Sequence, residues 1–204
     1  MQRTIIMKKI PLIVFLLCAV ASPAVHADES NQAVMTLGTF LFDSARLGAD
    51  EASQVKAARS IGYSGIVPNV DNPKQLEQLA RYQAATGDGR FKIHGGLLHA
   101  HLNRNLDTVY AHMDKVIESL KKSDAPLWLI LRDRKNVTTR AQRMAFLRAA
   151  AERTKAAGIP LVMYPHYGDF IDTAENAIPW LEEVQNGNVY LSLHLCHELR
   201  AGNG

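Results

Sequence analysis

Two histidines lie three residues apart near the carboxyl end of the chain. An apolar run over residues 189–193 leads directly into His194 and His197. In α/β proteins the carboxyl ends of parallel strands form the rim that carries the chemistry. We therefore expect both imidazoles at such a rim. There they can bind a divalent metal ion or move protons near neutral pH.

Other polar side chains follow earlier apolar runs in the same way. A catalytic zinc site takes three protein ligands, and His166 is the natural third partner for His194 and His197. By contrast, His94 is followed by two glycines and is expected to be a hydrogen-bonded structural residue, and Cys196 a small buried one. The side chains expected at or just after the third, fourth and fifth strands are His99, Arg132, Tyr164, His166 and Tyr167.

Short apolar runs alternate with helical patterns along the chain. Apolar residues recur at helical spacing over 106–120, which makes this the most secure helix. Another helix is expected to begin at Thr138 or Thr139 and to end at Gly158. The spacing of strand starts, about 30 residues, is that of one βα unit. The predicted strands begin near Met35, Ser64, Phe91, Leu127, Pro160 and Val189.

The first of these helices has a defined beginning and end. Asp50 can cap it and Gly62 can terminate it. Val55, Ala58 and Ile61 would then lie on one face of this helix. Together these patterns predict one α/β domain, with no linker dividing it.

Two architectures share the alternation of strands and helices: an open doubly wound sheet and a (β/α)8 barrel. A dinucleotide-binding open sheet should carry Gly-x-Gly-x-x-Gly after its first strand, and residues 38–43 lack it. A complete barrel would need two further units, or about 60 more residues. Spacing alone leaves both architectures open.

The amino-terminal residues 1–27 have the pattern of a signal peptide. Three basic residues precede an apolar run over 10–20, and Val25 and Ala27 form a small-x-small cleavage site. We expect a mature domain over residues 28–204 that is exported, to the periplasm or the medium. Cleavage would leave it without a stable membrane anchor.

The formal net charge of the chain comes from this predicted leader. The formal net charge is +3, and Arg3, Lys8 and Lys9 account for all of it. The remaining chain is neutral, so its composition gives no support for a nucleic-acid-binding surface. Removal of Cys18 leaves Cys196 as the only thiol. The exported domain therefore has no internal disulfide and depends on its core for stability.

Several short motifs together resemble one family. They are Ile-Gly-Tyr-Ser-Gly-Ile at 61–66, Tyr-Pro-His at 164–166, Thr-Ala-Glu at 173–175, Asn-Val-Tyr-Leu at 188–191 and the His-x-x-His segment that runs on to Gly202. In order and spacing they are similar to the xylose isomerase-like TIM barrels, the sugar phosphate isomerase/epimerase group. The resemblance begins near Leu37 and covers six of the eight units. It implies a (β/α)8 barrel that is incomplete, lacking the last two βα units.

The resemblance implies a small polyhydroxylated substrate, a sugar or polyol, and a possible divalent metal such as zinc, manganese or cobalt. In the family, metal ligands include a Glu after strand five and an Asp after strand six; here Tyr164 and His194 stand at those places. His197 alone keeps the family identity. The expected site therefore has His197 as catalytic residue, His166 and His194 as metal ligands, and His99, Arg132, Tyr164 and Tyr167 as substrate contacts.

The replaced carboxylates leave two alternatives open. The domain can be a non-catalytic sugar-binding or structural relative in which Tyr164 and Tyr167 stack on a sugar ring. It can also be an inactive fragment of a longer barrel, with an exposed sheet edge. The DNA-repair branch of the family is the least supported, because the mature chain is neutral and several metal ligands would be needed.

Overall fold

The computed structural model describes residues 38–40, 48–87 and 89–203. The predicted leader and the strand start predicted near Met35 lie outside these residues. In the described part, strands and helices alternate as expected. The strands are β1 Gly38–Phe40, β2 Gly65–Val67, β3 Lys92–Ile93, β4 Gly96–His101, β5 Leu127–Arg132, β6 Leu161–Met163 and β7 Val189–Leu191. The helices are α1 Glu51–Ser60, α2 Pro73–Ala85, α3 Leu106–Lys121, α4 Arg140–Ala157, α5 Ala174–Val184 and α6 Leu195–Ala201.

All strand pairs are parallel, and the strands keep their chain order. β1, β2 and β3 form one sheet, and β4 to β7 form another. A bridge between Asn69 and Leu97 joins the two, because the chain beyond β2 continues along β4. A doubly wound sheet reverses its strand order near the middle, whereas a barrel wall does not. The sequential order therefore decides for the barrel.

β3 and β4 are two halves of one barrel strand, interrupted at His94 and Gly95. The Trp128 side chain lies against this interruption and leaves room only for a glycine. A Cβ on Gly95 would lie 2.4 Å from the indole ring. His94 itself is hydrogen-bonded to the Ser64 hydroxyl at 3.0 Å, in agreement with its expected structural role. Counting this pair as one strand, the described residues supply six barrel strands, as predicted.

The helices begin at side-chain caps. Asp50 caps α1, and Thr139 caps α4 in a reciprocal capping box with Gln142. The long helix predicted from periodicity is α3, whose buried face includes Met113 and Leu120. The prediction for the α1 face was wrong at Ile61, which lies after the helix and is 65% exposed. Each described helix is too short or too polar to span a bilayer.

The two faces of the sheet pack differently. Side chains that point outward, such as Leu98 and Leu129, join the helices in one large buried cluster. Each such side chain contributes about 1.5–3 kcal/mol when fully buried. Inward-pointing residues form a smaller second cluster. Its members are Val67, Leu97, Trp128, Ile130, Val162 and Tyr164.

Candidate functional site

Alternation along the strands carries polar groups to the carboxyl-terminal rim. In β4 and β5 the inward-pointing pairs are Leu97 with Trp128, one level higher His99 beside Ile130, and at the strand ends His101 beside Arg132. Successive inward positions are two residues apart. The inner surface thus changes from apolar to polar within two steps, and the polar groups lie where barrel enzymes bind substrates.

His99 forms an ion-pair-like contact with Asp71. The bridge between Asn69 and Leu97 places the loop after β2 alongside β4. There the Asp71 carboxylate lies 3.0 Å from His99 Nδ1 through each of its oxygens. It also accepts a hydrogen bond from the His99 backbone N–H at 2.8 Å. Main chain and side chain therefore fix the imidazole and carboxylate relative to each other.

Asp169 connects groups from β5 and from the loop after β6. Its carboxylate lies 3.8 Å from Arg132 Nε, 3.4 Å from Arg134 Nε and 3.3 Å from His166 Nδ1. The Asp169 side chain is almost fully buried. Burial raises the pKa of this carboxyl, but the His166 hydrogen bond and the two arginine charges outweigh it, so the pKa lies below its ordinary value.

Three histidines pack against one another on the other side of the rim. The ring centres of His166 and His197 are 4.2 Å apart, and those of His194 and His197 are 4.6 Å apart. The ring of Tyr164 contacts both His194 and His197. Burial and the neighbouring His166, His194 and Arg200 lower the pKa of His197 to about 4. Burial and His166 also lower the pKa of His194.

The segment around these histidines differs from the strand end that the sequence suggested. β7 ends at Leu191, and His194 is the N-cap of α6, so His197 lies on a helix. The i, i+3 spacing brings the two rings together on one helix face. Cys196 is exposed rather than buried, because alternation no longer applies once the chain is helical. Glu198 is buried and accepts hydrogen bonds from the Ala174 backbone N–H and from Asn203.

The histidine cluster does not have the arrangement of a metal centre. His166 Nδ1 is already engaged by the Tyr167 carbonyl at 2.9 Å and by Asp169. Across residues 38–40, 48–87 and 89–203, no group of three or more His, Cys, Asp or Glu side chains is placed to hold a metal ion. The donors present do not fit the metal that the family resemblance implied. Metal binding by His166 and His194 stays a prediction.

A polar cavity of about 430 Å³ opens beside His99. Its volume is within the usual range for small-molecule sites. A larger cavity of about 640 Å³ lies at the opposite, amino-terminal end of the strands, where barrels are built for stability. A further cavity of about 430 Å³ adjoins the polar one, shares five of its six lining residues and adds apolar ones such as Leu98 and Val109. We take the polar cavity beside His99 as the candidate site. Every residue that lines it is polar or charged: Asp71, Asn72, His99, His101, Arg104 and Arg132.

The structure divides the predicted site residues between the two regions. His99 and Arg132 line the polar cavity, while His166, His194 and His197 form the separate cluster. Tyr164 is buried beneath that cluster, and Tyr167 is exposed at the rim with the Arg200 guanidinium over its ring. These placements leave the assigned roles as predictions.

Sequence reasoning missed the two carboxylates that organise the rim. Asp71 lies four residues after the end of β2, and Asp169 lies three residues after His166. Each position could have drawn attention as an acid in the loop that follows a strand. Asp133, also after a strand, has a structural role instead: it binds the Thr138 hydroxyl and the Arg143 guanidinium and accepts from loop amides.

Comparisons with known proteins place this geometry in a fold. No protein-family model matches the sequence, and neither does any curated protein. Solved structures do. A 3-keto-D-glucoside 4-epimerase from E. coli superposes with TM-score 0.66 at 11% identity, over 83% of this chain and 72% of its own. A D-psicose 3-epimerase with D-tagatose from Clostridium cellulolyticum H10 gives TM-score 0.67 at 14% identity, over 81% and 65%.

A third match is a xylose isomerase-like TIM barrel protein from Mycobacterium smegmatis in complex with magnesium. It gives TM-score 0.56 at 13% identity, over 76% of this chain and 63% of its own. The chain thus spans about two thirds of the length of these structures. At such identities the likeness establishes the fold and not the activity. The fold is that of a xylose isomerase-like TIM barrel, of which the described residues form about six βα units.

Proposed function

We propose that this chain is an exported, sugar isomerase/epimerase-like domain that binds a small sugar or polyol at the carboxyl-terminal rim. The observation that carries the proposal is the cavity of about 430 Å³ beside His99, whose lining is wholly polar or charged. A polyol presents many hydroxyls and little apolar surface, so it needs such a lining. The likeness of the fold to epimerases supports the same ligand class.

The cavity offers hydrogen-bond partners of both kinds. Arg104 and Arg132 are donors only, Asp71 is an acceptor, and Asn72 can act as either. Burial lowers the pKa of His101, and the nearby Arg104 and Arg132 lower it further, so this imidazole is neutral at pH 7 and can also act as either. A ligand hydroxyl, itself donor and acceptor, can be satisfied at several positions.

Titration calorimetry with ketohexoses and polyols tests the proposal. Arg104 is an exposed loop residue, so Arg104→Gln should leave the fold intact. Loss of a charged hydrogen bond should weaken binding by about tenfold. Lys56→Gln, an exposed change on α1, is the matched control and should bind as the wild type does. If no sugar or polyol binds, or if both variants bind alike, the proposed site is wrong.

Export, and the metal ion that the sequence predicts at His166 and His194, need separate tests. Calorimetry with zinc, manganese and cobalt measures metal binding, which His194→Ala should weaken if His166 and His194 are ligands. Export predicts that the mature chain begins near Asp28. Mass spectrometry of the protein recovered outside the cytoplasm checks this, and an intact Met1 terminus there would contradict it.

A further inference from the structure

The His99–Asp71 pair has the arrangement of a general base. Asp71 accepts at His99 Nδ1 with both carboxylate oxygens 3.0 Å away. A proton on Nδ1 satisfies this contact, which leaves the lone pair on Nε2. Within the described residues no hydrogen bond engages Nε2, and His99 lines the polar cavity. A base needs one nitrogen held and the other open toward the substrate.

Positive charge lies at the same cavity. Arg132 lies on the strand next to His99 and one inward step higher, beside His101. Neighbouring strands are about 4.8 Å apart, so a ligand that touches His99 is within reach of Arg132. Arg132 Nε lies 3.8 Å from the buried Asp169 carboxylate, beyond hydrogen-bond distance, so this contact uses none of the guanidinium donors. Arg104 adds a second cation to the lining.

We propose that His99 is the proton-transferring residue of this domain, that Asp71 positions it, and that Arg132 stabilises the negative charge that develops. The proposal rests on the proposed sugar-binding function and names its chemistry. The substrate class is a ketose, whose carbon next to the carbonyl bears an acidic C–H bond. The chemistry belongs to the sector of β2, β4 and β5, away from the histidine cluster.

The step balances without a further reactant. His99 Nε2 takes the proton from the carbon beside the carbonyl, and the C–H electron pair becomes the new C=C bond. The carbonyl π pair moves to oxygen, so an enediolate forms whose charge faces Arg132. The imidazolium then returns a proton to carbon, and the carbonyl is restored. In D₂O the returned proton is a deuteron, so turnover labels the substrate.

Deuterium incorporation into D-fructose and D-tagatose, followed by ¹H NMR in chelator-treated full-length chain, tests the proposal. We expect exchange to continue in chelator. His99→Ala should reduce it by about 100-fold or more, the usual contribution of a general base. Free imidazole should restore part of that loss, because it can occupy the space of the deleted ring. A merely structural role for His99 would not be rescued in this way.

Asp71→Asn tests the positioning role. We expect a loss of about 10- to 100-fold in the exchange rate, larger than any loss of sugar affinity, because the imidazole loses the carboxylate that fixes its position. His99→Gln, which keeps a polar side chain of similar size, is the folding control; its unfolding curve should match that of the wild type while exchange is lost.

The outcomes separate this inference from the proposed function. If sugar binds but no exchange occurs, or exchange needs metal and is indifferent to His99→Ala, the assignment of His99 is wrong and the sugar site stands. If exchange is lost in His99→Ala but imidazole gives no rescue while His99→Gln retains activity, the assignment is also wrong. If no sugar binds at all, both proposals fail.

Discussion

Two sectors of the same rim hold histidines in opposite settings. In the dyad sector, formed by Asp71, His99 and Arg132, each ring or guanidinium faces an acidic partner. In the imidazole sector, formed by Tyr164, His166, His194 and His197, rings pack mainly on other rings. In the dyad sector the basic groups face carboxylates, whereas in the imidazole sector His166 contacts a carboxylate and the other rings contact aromatic rings or imidazoles.

The difference shows that the number of histidines is a poor guide to chemistry. His197 has its pKa lowered to about 4, so it is neutral at pH 7 and a weak base. Its Nδ1 is buried and has no hydrogen-bond partner among the described residues. His99 is fixed by a carboxylate and borders an open cavity. The sector with fewer histidines is the better equipped for proton transfer.

The largest effect is expected where the two sectors meet, at Asp169. Asp169→Asn removes the charge that holds Arg132 and His166 together. Because the carboxylate is buried, loss of its charge should lower the free energy of unfolding by about 3 kcal/mol. Urea denaturation measures it. Glu175→Gln, an exposed change on α5, should stay within about 0.5 kcal/mol. Equal stability of the two variants would mean that the sectors are not coupled through Asp169.

A smaller effect is expected in the imidazole sector alone. Glu198 accepts from the Ala174 amide at 2.7 Å and so ties α6 to the start of α5. Glu198→Ala leaves that buried donor without its partner and should cost about 1–3 kcal/mol. Backbone amide hydrogen exchange at Ala174 should become faster, while amide exchange at His99 stays slow. The exposed change Glu182→Ala is the control. Faster exchange at both places would contradict independent sectors.

Sequence reasoning predicted the architecture better than the site. Strand starts at Leu127 and Val189 and the helix caps at Asp50 and Thr139 followed from local periodicity and capping, which nearby residues determine. The pairing of Asp71 with His99 depends on a bridge between chain segments 28 residues apart in sequence. No local pattern announces such a contact.

The same limit explains the errors near the carboxyl end. Apolar alternation over 189–193 predicts a strand that continues through Cys196, whereas the strand stops at Leu191 and a helix follows. Because the chain is helical from Leu195 onward, Cys196 lies at the surface and the ring of His197 packs against that of His194. The identities of the rim residues were foreseen in part, but not the side on which each one lies.

The pH dependence of stability should distinguish the sectors further. The folded pKa of His197, about 4, is below the unfolded value of about 6.5. The unfolded chain therefore binds more protons between these values, and stability falls as pH decreases through that window. His197→Leu should flatten the unfolding free energy between pH 5 and pH 6.5, above the range where carboxylates titrate. If the free energy of unfolding of the variant depended on pH as steeply as that of the wild type, His197 would not be the cause of the dependence.

The smallest effect is expected at Cys196, which the structure places on the surface of α6 between the two clustered histidines. In a Cys18→Ser background it is the only thiol. It should react with a thiol reagent in the native state, and Cys196→Ser should change stability by less than about 0.5 kcal/mol. The label should shift the NMR ring signals of His194 and His197 and leave those of His99 unchanged. If Cys196 reacted only after unfolding, the cysteine would be buried and the strand would continue through it, as the sequence alone predicts.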